Sequence, residues 1–330
     1  MTRRKAPSLA PGARLNNMFE IVQPIATDET GEVYEARNIQ TMDPVAIRIV
    51  RPELARDESI LEQLHKEARI LVHLHHDAIA RYHVVSTDTH LGVPFLAMEL
   101  VEGPTLGDRM EAGPLDAAAL AGLKQHLAEG LEKAHQAGVI HRHLAPERIV
   151  LPDGRVDRAK IIDFGVAGGA QLGGRYDFAS PEQLGLFGGE VTSRSDIYSL
   201  GLVLAACALG RALDMGGSEA EAVDKRRSVP DLAGIDPPLR DLLEAMLQPD
   251  PRDRPKSMAE VAHWPTFEKP EPDARKTRLY TSAPKSTARP PSGSATAGSP
   301  REDAQAKTRL VVMALAATAI LLAAVYLVYW

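Results

Sequence analysis

Short apolar runs alternating with polar positions fill the chain as far as Leu100, and then the period changes. These runs predict strands over Phe19–Ile25, Glu32–Arg37, Pro44–Val50, Ile79–Ser86 and Pro94–Leu100. One helix interrupts them, with Asp57 as its cap and Leu61, Leu64, Ala68 and Leu71 along one face. After Gly103 the spacing is helical. Leu120, Leu123, Leu127, Leu131 and Ala134 recur on one side of Asp116–Gly138, a segment that ends at a glycine. Ser257 and Glu260 have the spacing of a capping box for a last helix. The expected architecture is α+β: a small sheet-rich lobe over 16–100 and a larger helical lobe over 101–265.

Both ends of the chain break this pattern. Residues 1–15 are basic, contain proline and lack the apolar core of a signal peptide, so they are expected to be a disordered N-terminus. From 266 to 309 the sequence turns to Pro, Ser, Thr, Ala and mixed charge, which buries too little apolar surface to offset ordering and predicts a disordered linker. It holds Lys-Thr-Arg-Leu twice, around Thr277 and Thr308, two candidate phosphothreonine docking sites in a tract where coincidence is the simpler reading. Residues 310–330 carry no charge, and at about 1.5 Å per residue they reach across a hydrocarbon core of roughly 30 Å. Arg301, Lys307 and Arg309 precede this segment, and Tyr326, Tyr329 and Trp330 close it. A single-pass C-terminal transmembrane helix is expected, with the rest of the chain on the cytoplasmic side and no sensor domain beyond it.

Composition narrows the function classes. The formal net charge of −6 over 330 residues gives no reason to expect a nucleic-acid partner. One cysteine, Cys207, excludes an internal disulfide framework, and its apolar setting predicts a buried thiol. His73, His75 and His76 invite a metal reading, but no Cys or carboxylate set beside them completes a ligand shell.

Candidate chemistry lies at the junctions between the expected elements. In order come Val45-Ala46-Ile47-Arg48, Glu67, Met98-Glu99, His141-Arg142-His143, Asp163-Phe164-Gly165, Ser180-Pro181-Glu182, Asp196 and Arg254. This collinear series resembles the signature set of eukaryotic-like serine/threonine protein kinases, over about three quarters of the chain. The resemblance implies a two-lobed protein-kinase fold with an ATP cleft between the lobes. Its lining would be Ala26, Gly31, Val33, Ala46, Arg48, Glu67, Met98, Glu99, Val101, Arg148, Val150 and Asp163.

The chain departs from the family at the residues that do the chemistry. Active members cover the phosphates with G-x-G-x-x-G, where this chain has Ala26-Thr27-Asp28-Glu29-Thr30-Gly31 and two carboxylates facing a polyanion. Arg48 replaces the strand lysine and is expected to pair with Glu67 in a structural role. His141-Arg142-His143-Leu144-Ala145-Pro146-Glu147-Arg148 stands for H-R-D-L-K-P-E-N. His143 thus takes the place of the base, Ala145 of the lysine that steadies the phosphate, and Arg148 of the asparagine that holds a second Mg²⁺. Arg175 falls where the family places a threonine, so all members of one polar network are replaced together. Asp163 remains, either to hold a single Mg²⁺ or for packing.

The framework positions are kept. His141, Phe164 and Leu71 match a stacked apolar column between the lobes, and Arg142, Gly165, Asp196 and the pair Glu182–Arg254 match the frame of the helical lobe. From Val166 to Ala179 there is no Ser or Thr, which leaves Tyr176 as the acceptor for a phosphate. The expectation is a membrane-tethered pseudokinase acting as scaffold or allosteric regulator, with ATP and Mg²⁺ bound weakly or not at all. Its partners would be the bilayer and another protein, an active kinase or a phosphothreonine-binding module. The alternatives are an atypical transferase using Asp163, and a nucleotide sensor without turnover.

Overall fold

The computed structural model describes residues 9–27, 31–51, 56, 58–164 and 176–265, all within one compact unit, Met1–Glu271. Six antiparallel strands form a sheet in the order β1-β2-β3-β4-β6-β5. They are β1 (Arg14–Leu15), β2 (Phe19–Thr27), β3 (Gly31–Asn38), β4 (Pro44–Val50), β5 (Tyr82–Thr87) and β6 (Pro94–Glu99). Successive side chains point to opposite faces of a strand, and this alternation sorts β4. Val45, Ile47 and Ile49 join Leu15, Phe19, Ile21, Tyr34, Phe95 and Ala97 in a core on the outer face. Ala46 and Val50 face the other way and join the large core shared with the helices. Arg48 has their parity, so the alternation aims a buried guanidinium at the helical side.

Two boundaries differ from the sequence expectation. Part of the expected N-terminal tail is built into the sheet: Gly12 N–H donates to the Ile21 carbonyl at 2.8 Å, and Ile21 N–H returns to the Ala13 carbonyl at 2.8 Å. Leu15 is wholly buried. A basic, Pro-containing composition hid an edge strand that one apolar side chain pins to the outer core. At the other boundary, Ile79 to Arg81 do not belong to β5. Ile79 forms a parallel bridge with Ile161, and Ile161 N–H donates to Ala78 at 2.8 Å, tying this stretch to the helical lobe.

Helix α1 (Glu58–His73) buries Leu64, Ala68 and Leu71, as its spacing predicts, while Asp57 lies outside the described residues. Helix α2 (Leu106–Glu111) opens with a capping box between Thr105 and Asp108, and α3 (Ala117–Gln136) with Asp116 accepting the Ala119 N–H at 2.8 Å. A two-strand ladder, β7 (Ile149–Val150) and β8 (Lys160–Ile161), carries the loops of the cleft. Helix α4 (Ser193–Leu209) is buried on every side and forms the centre of the lobe. Its Cys207 is buried, and burial pushes the thiol up to about 12. Helices α5 (Glu219–Lys225), α6 (Pro237–Met246) and α7 (Met258–Ala262) complete the lobe. The predicted capping box of α7 is half formed. Ser257 Oγ accepts the Glu260 N–H at 3.3 Å, but the Glu260 carboxylate takes the N–H of Lys256, at 2.8 Å, in place of that of Ser257.

Among the described residues no helix is long and apolar enough to cross a membrane. The segments at 266–309 and 310–330, with Thr277 and Thr308, lie outside them.

Candidate functional site

The cleft is lined from both lobes. Val33 on β3, Ala46 on β4, Met98 on β6 and Val150 on β7 are all buried, and Val101 is half-buried just beyond β6. Ala26 is exposed at the end of β2. Gly31 has a packing reason to be glycine, because a Cβ there would collide with the Ile49 carbonyl of the adjacent strand. The Glu99 carboxylate is engaged on the spot: it accepts Lys160 Nζ at 2.7 and 2.9 Å and the Arg81 N–H at 3.0 Å.

Asp163 is the centre of charge. Its Oδ1 accepts Arg48 Nε at 3.2 Å, and its Oδ2 lies 2.7 Å from Arg48 Nη2 and 2.9 Å from Arg148 Nη1. Arg48 and Asp163 are 1% and 9% exposed, so this triad sits where water screens little. The expected Arg48–Glu67 pair is not formed. Glu67 accepts Arg142 Nη1 at 2.9 Å and Nη2 at 2.8 Å, with Gln63 Nε2 at 3.1 Å. A fork meets a carboxylate in each case, but the partners are exchanged.

The catalytic-loop segment is held by its own frame. Arg142 has φ 66° and Asp163 φ 65°, left-handed values that cost a side-chain-bearing residue roughly 1–3 kcal/mol. Asp196 stabilises the first of these turns, accepting the N–H groups of His141 and Arg142 at 2.8 Å each, and it also contacts His135 Nε2 at 2.7 Å. Burial alone would raise the Asp196 carboxyl; the His135 bond and these neighbours hold it below the ordinary value. His141 packs edge-on against Phe164 with ring centroids 4.7 Å apart. Its Nε2 donates to the Ile162 carbonyl at 3.0 Å and its Nδ1 accepts the His143 N–H at 3.1 Å, the pattern of a neutral imidazole. Burial lowers its pKa, in agreement.

His143 and Ala145 are half-buried at the mouth of this loop. An alanine methyl cannot steady a phosphoryl group. Deeper in the lobe, Glu182 and Arg254 form the expected pair at 2.8 and 2.9 Å, and Arg254 further donates to the Gln248, Arg194 and Pro249 carbonyls. Gly165 and Arg175 lie outside the described residues, as do Asp28 and Glu29.

The cleft does not fit the divalent metal that the resemblance implies. Mg²⁺ takes oxygen ligands at about 2.0–2.1 Å in near-octahedral order. Both oxygens of Asp163 are held by guanidinium groups, and the second expected metal ligand is itself a cation, Arg148. Of the histidines at 73, 75 and 76, His76 turns its Nδ1 to accept the Ala78 N–H at 3.1 Å, and among the described residues no three or more His, Cys, Asp and Glu side chains are grouped as metal ligands.

Three side chains near the site escaped the sequence reading. Tyr82, buried at the start of β5, sets its hydroxyl against the Phe164 amide without reaching hydrogen-bond geometry, and burial with nearby Asp163 raises its pKa. Periodicity reads such a tyrosine as core and cannot show that it faces Asp163. His135 follows Leu131 by one helical turn, a spacing that does place it on the buried face of α3. Arg226 is wholly buried and donates to the carbonyls of Tyr176, Ala179, Met215 and Ala222, fixing the end of the segment after Arg175. No local signal marks it.

Known proteins similar to this chain give its family. Residues 19–267 match the protein kinase domain family. The chain is 31% identical over 278 residues to serine/threonine-protein kinase Pkn2 of Myxococcus xanthus, covering 77% of this chain and 33% of that protein. It is 33% identical over 251 residues to AfsK of Streptomyces coelicolor (72% and 30% covered), and 28% identical over 258 residues to PknL of Mycobacterium tuberculosis (73% and 63% covered). The chain thus spans about a third of the length of the first two of these relatives. The crystal structure of the Mycobacterium tuberculosis PknI kinase domain superposes with a TM-score of 0.63 at 24% identity, over 77% of this chain and 97% of that one, a likeness of fold. The chain belongs to the protein kinase domain family, of the bacterial serine/threonine type.

Proposed function

We propose that this kinase-like domain has given up phosphoryl transfer and works by binding other proteins, as a scaffold or allosteric regulator tethered to a membrane by residues 310–330. One observation carries the reading. The expected metal ligand Asp163 is bound instead by Arg148, 2.9 Å away, in the same loop where His143 and Ala145 replace the base and the lysine. These groups act jointly in phosphoryl transfer, so their common replacement removes the unit. The relatives are serine/threonine kinases by name, which makes activity the competing reading. The test incubates the full chain with Mg²⁺-ATP or Mn²⁺-ATP and follows label into itself and into a generic basic protein. No incorporation is expected; incorporation that Asp163→Ala abolishes sinks the proposal. The tether is checked by extraction: full chain is expected in the alkali-resistant membrane fraction, and a chain ending at 309 in the soluble one.

A second reading rests on Val33, Ala46, Met98 and Val150, a buried apolar set of the kind that sandwiches a flat base. Here the domain senses a nucleotide without turning it over. It calls for a rise in melting temperature with ATP that persists in chelator and is lost in Ala46→Trp. Equal shifts in both proteins count against it.

A further inference from the structure

We infer that the Arg148 guanidinium is a built-in substitute for the divalent cation at Asp163, and that it closes the cleft to Mg²⁺ and Mn²⁺. The inference deepens the reading above, and it concerns which ion the site takes rather than whether phosphate moves.

The argument begins with charge. A buried carboxylate needs a cation beside it, because an uncompensated charge in a low-dielectric site is costly. Asp163 obtains its compensation from within the chain, on both oxygens: Arg48 from β4 and Arg148 from the turn before β7. The two arginines come from different lobes, so the carboxylate also joins the sheet to the helical lobe. Arg148 is only 11% exposed, which leaves little water to screen it from an incoming ion.

Ligand chemistry decides the rest. A hard divalent ion selects oxygen ligands, and a guanidinium offers donors only. Asp163 Oδ2 already accepts Arg48 Nη2 at 2.7 Å and Arg148 Nη1 at 2.9 Å, so both its lone pairs are taken. An ion entering from the loop side would have to displace Arg148 and then sit beside the displaced cation. Asp163 sits in a left-handed turn, φ 65°. The positively charged partner that orients this aspartate is therefore part of the polypeptide. Neutral asparagine at 148 would return an oxygen ligand and remove the competing charge in one step.

The test is Mn²⁺ uptake by the full chain in detergent, read from the electron paramagnetic resonance signal of the free ion, with and without ATP. Wild type is expected to show no binding that depends on Asp163. Arg148→Asn should gain one site, about tenfold or more tighter than wild type, and Asp163→Ala in that background should remove it. Arg148→Lys keeps the cation and should continue to exclude the ion. A wild-type site lost in Asp163→Ala overturns the inference, and this arm needs no substitution at 148. A folded Arg148→Asn, judged by an unchanged melting profile, that gains no Mn²⁺ site overturns it as well. Because the readout is metal uptake and not phosphoryl transfer, its failure is distinguishable from failure of the proposed function.

Discussion

The Glu67 carboxylate on α1 accepts both arms of the Arg142 guanidinium, at 2.9 and 2.8 Å, from a residue 75 positions later in the chain. It ties helix α1 to the catalytic-loop segment, while Arg48 makes the reciprocal tie from the sheet to Asp163. Two exchanged ion pairs thus span the cleft.

Breaking the first tie should be costly. Removing one member of a buried pair leaves the other charge uncompensated, so Glu67→Ala and Arg142→Ala are each expected to lose about 3–5 kcal/mol. Replacing both should cost less than the sum. Denaturant midpoints of the four proteins give the coupling; additive losses would show that the pair does not act as one.

Arg254 makes five hydrogen bonds, two to Glu182 and three to backbone carbonyls, and it stacks over Tyr198 at 4.8 Å. A lysine cannot supply that planar fork. Arg254→Lys is therefore expected to lower stability by several kcal/mol, by about as much as breaking a buried pair outright. A melting temperature equal to wild type would refute the role given to this frame.

The stability should fall on mild acidification. His141, His76 and His83 all have pKa values below the ordinary 6.5, in each case chiefly through burial. Below 6.5 the unfolded chain takes up protons that the folded chain resists, so stability is lost as the pH drops from the unfolded toward the folded value. Denaturant midpoints at pH 7.5 and 5.5 should differ in that direction. His141→Phe, which keeps a ring against Phe164, should shrink the difference, and an identical difference would remove His141 from the account.

Gly31 tests whether the last glycine of the phosphate-loop position is retained for ligand or for packing. A methyl there meets the Ile49 carbonyl. Gly31→Ala is expected to destabilise the fold by about 1–3 kcal/mol with no nucleotide present. If stability is unchanged, the packing explanation is wrong.

The architecture was legible in the sequence because strands and helices follow from local period. Pro44–Val50 came out as a strand with the same bounds, and the buried face of α1 is the one its spacing names. The framework pairs were legible too: Glu182–Arg254 forms as the motif order implies. Local composition misled at residues 9–15, where one buried leucine outweighs a basic, Pro-containing context. It also extended a strand over Ile79, whose neighbours Ala78 and Ala80 hydrogen-bond to Ile161 instead.

What the sequence determined by itself, through its resemblance to the kinase signature, is which side chains to watch: Arg48, Glu67, Arg148 and Asp163 at the cleft, and Arg142 in the frame beside it. Only the tertiary structure decided how these charges pair. Arg48 and Asp163 stand 115 residues apart, and Glu67 was an equally good partner by chemistry. Ion pairing falls off with distance and depends on desolvation, and both are set by how the lobes pack rather than by any pattern along the chain. That packing sets the Arg148 guanidinium, which stands where the family has a metal-holding asparagine, against Asp163 at 2.9 Å.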